Sequence, residues 1–287
     1  MAHLFKNGTS IYKIGANIFR VRDRFNQYNF TIINGHTGCI ALAYDPVVAN
    51  NRLFVINNGV NNMSVVDATT FATISTMPIG GGLIAIAVDP NPANHRLAVA
   101  AAGSVYIIDT NTFTITATLT GFSNARGVAF DPIVANNRFV VAENGANRVS
   151  IIDGTSLLTV NTISGFSNPR NLAFDPVVAN NRFLVVNNGN GTTSVVDATT
   201  LVITSTIGTG HDGIAFDVSA ANNRILIDGD SVNISVINAG TLGITENIGP
   251  FTGIITGLAY DPVASNNRFL FGEYTNNCFV VVDQILS

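Results

Sequence analysis

Leu172-Ala-Phe-Asp-Pro-Val-Val-Ala-Asn-Asn-Arg-Phe-Leu-Val-Val-Asn-Asn-Gly-Asn-Gly-Thr-Thr-Ser-Val-Val-Asp197 holds short apolar runs separated by turn residues. The runs Leu172 to Phe174, Phe183 to Val186 and Thr193 to Val196, with Leu201 to Ile207 after them, are rich in Val, Ile, Thr and Phe. They are too short for helices, which need ten or more periodic residues. Asp-Pro and Asn-Asn close the first run, Asn-Asn-Gly the second and Asp-Ala-Thr-Thr the third. The segment therefore reads as four strands joined by turns.

The same unit recurs along the chain. Asp45, Asp89, Asp131, Asp175, Asp217 and Asp261 follow one another at steps of 44, 42, 44, 42 and 44 residues. Seven residues after each comes an arginine, Arg52, Arg96, Arg138, Arg182, Arg224 and Arg268. A third marker, ending in Asp67, Asp109, Asp153, Asp197, Asn238 or Asp283, follows each arginine by 13 to 15 residues. One four-stranded unit cannot bury both of its faces, whereas six in a ring can, so the repeat predicts an all-β, six-bladed β-propeller of antiparallel blades. Two residues before each Asp stands an alanine, and the residue before that alanine is always Leu, Ile or Val. This alternation fits innermost strands that converge on an axis.

The ends of the chain predict how the ring closes. The sixth unit has three strands and lacks its fourth, and Tyr28 to Ile33 precede Asp45 at the offset of a fourth strand. Tyr28 to Ile33 are thus expected to complete the last blade. The chain divides into an N-terminal arm, 1–27, and a propeller, 28–287.

Composition narrows the function classes. Of the 287 residues 47% are hydrophobic and 11% charged, below the usual quarter, which argues against disorder. The net charge is −4 and Lys6 and Lys13 are the only lysines, so the chain lacks the clustered cations that nucleic acid requires. Its apolar runs reach five or six residues, far short of the roughly 20 needed to cross a bilayer. The first residues carry no apolar core followed by a cleavage site, so a secretory leader is not expected. Cys39 and Cys278 read as small buried hydrophobes, with a disulfide between them as the alternative.

The strings Val-Val-Asn-Asn-Gly at 185–189 and Ser-Val-Val-Asp-Ala-Thr-Thr at 194–200 resemble the YVTN family of β-propeller repeats, a likeness that extends over residues 28–287. The family's signature strand is altered here to Phe-Val-Ile-Asn, Phe-Val-Val-Ala or Phe-Leu-Val-Val. The resemblance implies the propeller fold. It also implies relatives that are mostly secreted or surface-displayed and related propellers that include lactonase-like enzymes.

The recurring Asp and Arg are expected to bracket a hairpin loop, with Asp accepting loop N–H groups and Arg donating to loop carbonyls. Calcium binding is the alternative, but each loop offers a single carboxylate. The Asp of the third marker is expected to cap its own turn. The four histidines fall at unrelated offsets, no nucleophile elbow or phosphate loop is present, and no catalytic residue, metal or cofactor is expected.

Positions that break the repeat are more informative. Five residues before the repeated Asp the units carry Ile40, Ile84, Arg126, Arg170, Asp212 and Thr256, at the predicted mouth of the axial channel. His211 precedes Asp212, and Asn124 and Asn168 stand two residues before the arginines. Arg126, Arg170, His211, Asp212, Asn124 and Asn168 form a candidate site for an anionic glycan or small ligand, because a guanidinium fork bonds carboxylate or phosphate bidentately. Glu143, Arg148, Asp228, Asp230, Glu273 and Tyr274, in the turns between second and third strands, are expected to form its rim.

The arm is basic. Lys6, Lys13, Arg20, Arg22 and Arg24 against Asp23 give it +4, so residues 28–287 carry −8. Ile11 to Ile14 and Ile18 to Arg22 flank Gly15-Ala16-Asn17, which predicts a hairpin with a basic face. Folding back on the acidic propeller and docking to another protein are both open. The combined expectation is a non-enzymatic interaction module in a larger assembly, such as a virion or surface appendage, docked by Lys6, Lys13, Arg20, Arg22 and Arg24. A ligand- or glycan-binding propeller and a lactonase-like hydrolase are the alternatives.

Overall fold

A strand in this chain lasts three to seven residues because turn sequences such as Asp-Pro, Asn-Asn and Asp-Ala-Thr-Thr interrupt it. The structure, a computed structural model, describes residues 2–6, 9–14, 17–21, 28–217, 223–230, 232–251 and 254–284. Six sheets of four antiparallel strands form the blades, numbered here from the one that begins at Cys39. In blade 4 the strands are Pro169–Phe174, Arg182–Asn187, Thr192–Asp197 and Ile203–Ile207, inner to outer. The six inner strands pack on one another in chain order and the last packs on the first, which closes the ring.

Closure is made by the strand Tyr28–Asn34. It pairs antiparallel with Cys278–Gln284 and supplies the outer strand of blade 6, in register Val280 to Ile32 and Val282 to Phe30. Phe30 is buried against Phe251. The expected arm hairpin is present, Thr9–Ile14 with Asn17–Val21, and Ala2–Lys6 adds a third strand to it. Arg22 and Arg24 lie outside the described residues.

In blades 1 to 4 and 6 the loop after the inner strand is a single 3-10 turn such as Val48–Asn50 or Val178–Asn180, and residues 218–222 of blade 5 lie outside the described residues. The residue before each repeated arginine adopts a left-handed backbone, with φ between 39° and 48°: Asn51, His95, Asn137, Asn181, Asn223 and Asn267. Asn tolerates that conformation better than other side chains, which explains its recurrence there.

Each repeated Asp is buried and paired with its arginine, from Asp45–Arg52 at 2.5 Å to Asp261–Arg268 at 3.1 Å. Asp131 shows the pattern. It accepts the Ile133 N–H at 2.8 Å, the Asn136 amide at 2.8 Å and Arg138 Nε at 2.7 Å. The expectation that Arg bonds its own loop carbonyls is corrected. Arg52 donates to Thr110 O, Arg96 to Gly154 O, Arg138 to Ala198 O and Arg182 to Ala239 O, each in the next blade. Arg224 reaches Asn267 at 3.2 Å, and Arg268 lies over the Phe71 ring of blade 1. Residues that bracket a loop in sequence therefore clasp neighbouring blades in space.

The third-marker Asp caps its turn as expected. Asp67 Oδ1 accepts the N–H groups of Thr69 and Thr70 and the Thr70 hydroxyl, at 2.6 to 3.0 Å. Cys39 and Cys278 are buried and free.

Candidate functional site

The mouth of the axial channel is built from the first residues of the inner strands. Ile40, Ile84, Arg126, Arg170, Asp212 and Thr256 line one cavity of about 70 Å³, together with Asn171 and Gly257. Below it a second cavity of about 310 Å³ runs towards the Asp-Pro loops, walled by inner-strand Ala, Leu, Ile and Val and by Pro90, Pro132 and Pro176. Asn171 and Gly257 line both cavities and mark the constriction between them.

Blades approach closely at this level. The residue after each mouth position is Ala41, Ala85, Gly127, Asn171, Gly213 or Gly257. A Cβ on Gly127 would stand 2.6 Å from Arg170 O and 2.8 Å from Asn171 Cα. A Cβ on Gly257 would stand 2.7 Å from Ala41 Cα. These glycines are required by space, since the neighbouring main chain occupies the place of the side chain.

Three expected site residues meet at the mouth. Arg170 Nη1 donates to Asp212 Oδ1, and His211 Nδ1 lies 3.1 Å from Asp212 Oδ2 and 3.5 Å from Asp228 Oδ2. Arg126 stands beside them and makes no hydrogen bond or ion pair among the described residues. Burial and the neighbouring Arg170 charge lower its pKa, against a smaller opposing effect of Asp212. Two guanidiniums from adjacent blades and one carboxylate, Asp212 paired with Arg170, line the opening and leave it locally positive.

Asn124 and Asn168 are not among the mouth residues. Both have a left-handed backbone, φ 56° and 48°, and serve the connection between blades. Asn124 donates to Asn144 Oδ1 at 3.3 Å, and the Asn168 N–H donates to Asn147 Oδ1 at 2.8 Å. The polar residue missed at the mouth is Asn171. Its sequence signal was a polar side chain in a place where the other five units have Ala or Gly.

The expected rim is corrected as well. Glu143, Asp228 and Glu273 are fully buried, whereas Asp230 and Tyr274 are exposed. Burial alone would raise the Glu143 pKa, but bonds from Arg148, the Ser123 N–H and Ser150 outweigh it and hold the carboxylate below its ordinary range. Asn57 and Asn187 fill the equivalent place in blades 1 and 4, each bonded to a serine seven residues on, Ser64 and Ser194, at 2.8 Å. These side chains fasten the second strand to the third.

The histidine offsets predicted no metal-ligating group, yet one donor atom from each of His211, Asp212 and Asp228 lies within 4.8 Å of the others. Arg170 already neutralises Asp212, and a second guanidinium stands nearby. That charge opposes a divalent cation, and the arrangement is that of an imidazole held between two carboxylates.

No family model matches the chain, and no curated protein matches it. Among solved structures it is similar to that of U3-55K, with a TM-score of 0.67 and 12% identity, covering 88% of this chain and 98% of that one. At that identity the likeness speaks for the propeller fold. No helix of the described residues is long and apolar enough to cross a membrane.

Proposed function

We propose that the chain is a non-enzymatic interaction module of YVTN-type repeats, held in a larger assembly by its N-terminal strands. One observation carries the reading: the ring closes with a strand that begins at Tyr28, and the three strands before it pair only with one another among the described residues. The arm is therefore not spent on closure. Its register sets His3, Tyr12 and Phe19 side by side in one row, and Leu4, Ile11 and Arg20 in the next. A sheet of three short strands gains stability by burying a face against another surface, and an arm of charge +4 favours an acidic one.

The ring suits a rigid platform. Its recurring carboxylates and arginines are committed to one another and to neighbouring blades, which speaks for a structural rather than a catalytic use. A virion or surface appendage is the setting that the sparsely charged Asn- and Thr-rich sequence suggests. The test removes residues 1–27. The remaining ring is expected to fold with an unchanged unfolding midpoint while incorporation into the assembly is lost. Undiminished incorporation would remove the proposal.

A further inference from the structure

The mouth holds a positive charge that the fold leaves unanswered. Arg170 has an acceptor in Asp212. Arg126 has none, and its Nε, like that of Arg170, is shielded from solvent without a hydrogen-bond partner. A shielded donor left without an acceptor is costly, more so when it is charged. Here two such donors flank one opening, where a ring that needed only packing could carry Ile, as blades 1 and 2 do at Ile40 and Ile84.

We propose that the mouth binds a single carboxylate group of a small molecule, received by the guanidinium groups of Arg126 and Arg170 that line it. Charge selects the carboxylate. Asp212 already answers one of the two guanidiniums, so the opening has room for one further negative charge, and Asp228 behind His211 disfavours a dianion such as phosphate. Shape selects what the carboxylate is attached to. Ile40 and Ile84 line the same cavity of about 70 Å³ as the arginines, which fits a short aliphatic body, and Asn171 borders both this cavity and the lower channel. The inference concerns the ring and does not depend on the arm.

The test is calorimetric titration of the full-length protein, at fixed ionic strength, with sodium butyrate, sodium glucuronate and inorganic phosphate. A carboxylate is expected to bind with a Kd of about 1 mM or below. Tighter butyrate points to a free aliphatic acid as the source and tighter glucuronate to a sugar acid. Arg126→Gln is expected to weaken that binding about 10- to 100-fold, the worth of a hydrogen bond to a charged group. Because no residue leans on Arg126, its unfolding midpoint should stay unchanged or rise. Arg126→Lys keeps the charge, loses the fork and should fall between the two. Phosphate binding more tightly than either carboxylate, no carboxylate binding at about 20 mM, or wild-type affinity in Arg126→Gln would each overturn the proposal.

Discussion

Arg138 of blade 3 donates to the main-chain oxygen of Ala198 in blade 4 at 2.6 Å while its Nε holds Asp131 at 2.7 Å. The guanidinium thus closes its own loop and ties that loop to the next blade. Removing it leaves Asp131, whose side chain is 1% exposed, without its cation. Arg138→Met is therefore expected to destabilise the ring by about 3 kcal/mol, near the lower end for a broken buried pair, because Ile133 and Asn136 still serve the carboxylate. Urea denaturation measures it, and a loss below about 1 kcal/mol would contradict the clasp.

Space at the axis gives a paired comparison. Gly127→Ala must displace the main chain of Arg170 and Asn171 and is expected to cost about 1–3 kcal/mol. Gly103, whose added Cβ meets nothing within 4 Å, should become neutral or slightly more stable as Ala. Equal effects at the two positions would mean that the blades do not approach as described.

The exposed turn aspartates set the acid side of stability. Main-chain bonds from Thr70, Ser156 and Thr200 lower the pKa values of Asp67, Asp153 and Asp197 respectively. A carboxyl whose folded pKa is depressed contributes stability above its unfolded value, about 3.9, and loses it as pH falls through the folded value. Stability is therefore expected to begin to fall below about pH 4 as these turns protonate. Thr70→Val should shift the Asp67 titration upward, and an unmoved carboxyl resonance in NMR would argue against the turn bond.

Burial pushes the Cys278 thiol up to about 12, with the Glu273 charge beside it, and raises the Cys39 thiol further still. Both should be neutral at pH 7 and inert to maleimide in the folded protein, reacting only after unfolding. Rapid labelling of the native chain would contradict their burial.

Zinc or calcium is expected to leave the unfolding midpoint unchanged, because Arg170 and Arg126 oppose a cation at His211, Asp212 and Asp228. A rise in midpoint with added ion, abolished in Asp228→Asn, would show that the carboxylates prevail.

The ring was legible in the sequence because one geometric need recurs in every blade. An Asp that folds a loop, an Arg seven residues later and an Ala two residues before are each written six times. The closing strand was legible from the missing fourth strand, and the mouth from the places where Ile gives way to Arg and Asp. What escaped lies between repeats. The carbonyls that Arg52 and Arg138 reach stand 58 and 60 residues away, and nothing within a unit marks them. The burial of Glu143 was written locally, in the Arg148 and Ser150 that bond it, but a charged residue next to a turn reads as surface until the strand's inward face is known.

The central claim is that the arm engages another protein while the ring stands by itself. Carbodiimide joins amines to carboxylates without a spacer, and Lys6 and Lys13 are the chain's only lysines, so links made through this chain's own lysines must start from the arm. The measurement is mass-spectrometric mapping of those links in the native assembly from which the full-length chain is isolated. The account predicts links from Lys6 and Lys13 to carboxylates of a different protein. Links confined to this chain's own acidic residues, in a particle with the mass of one chain, would contradict it.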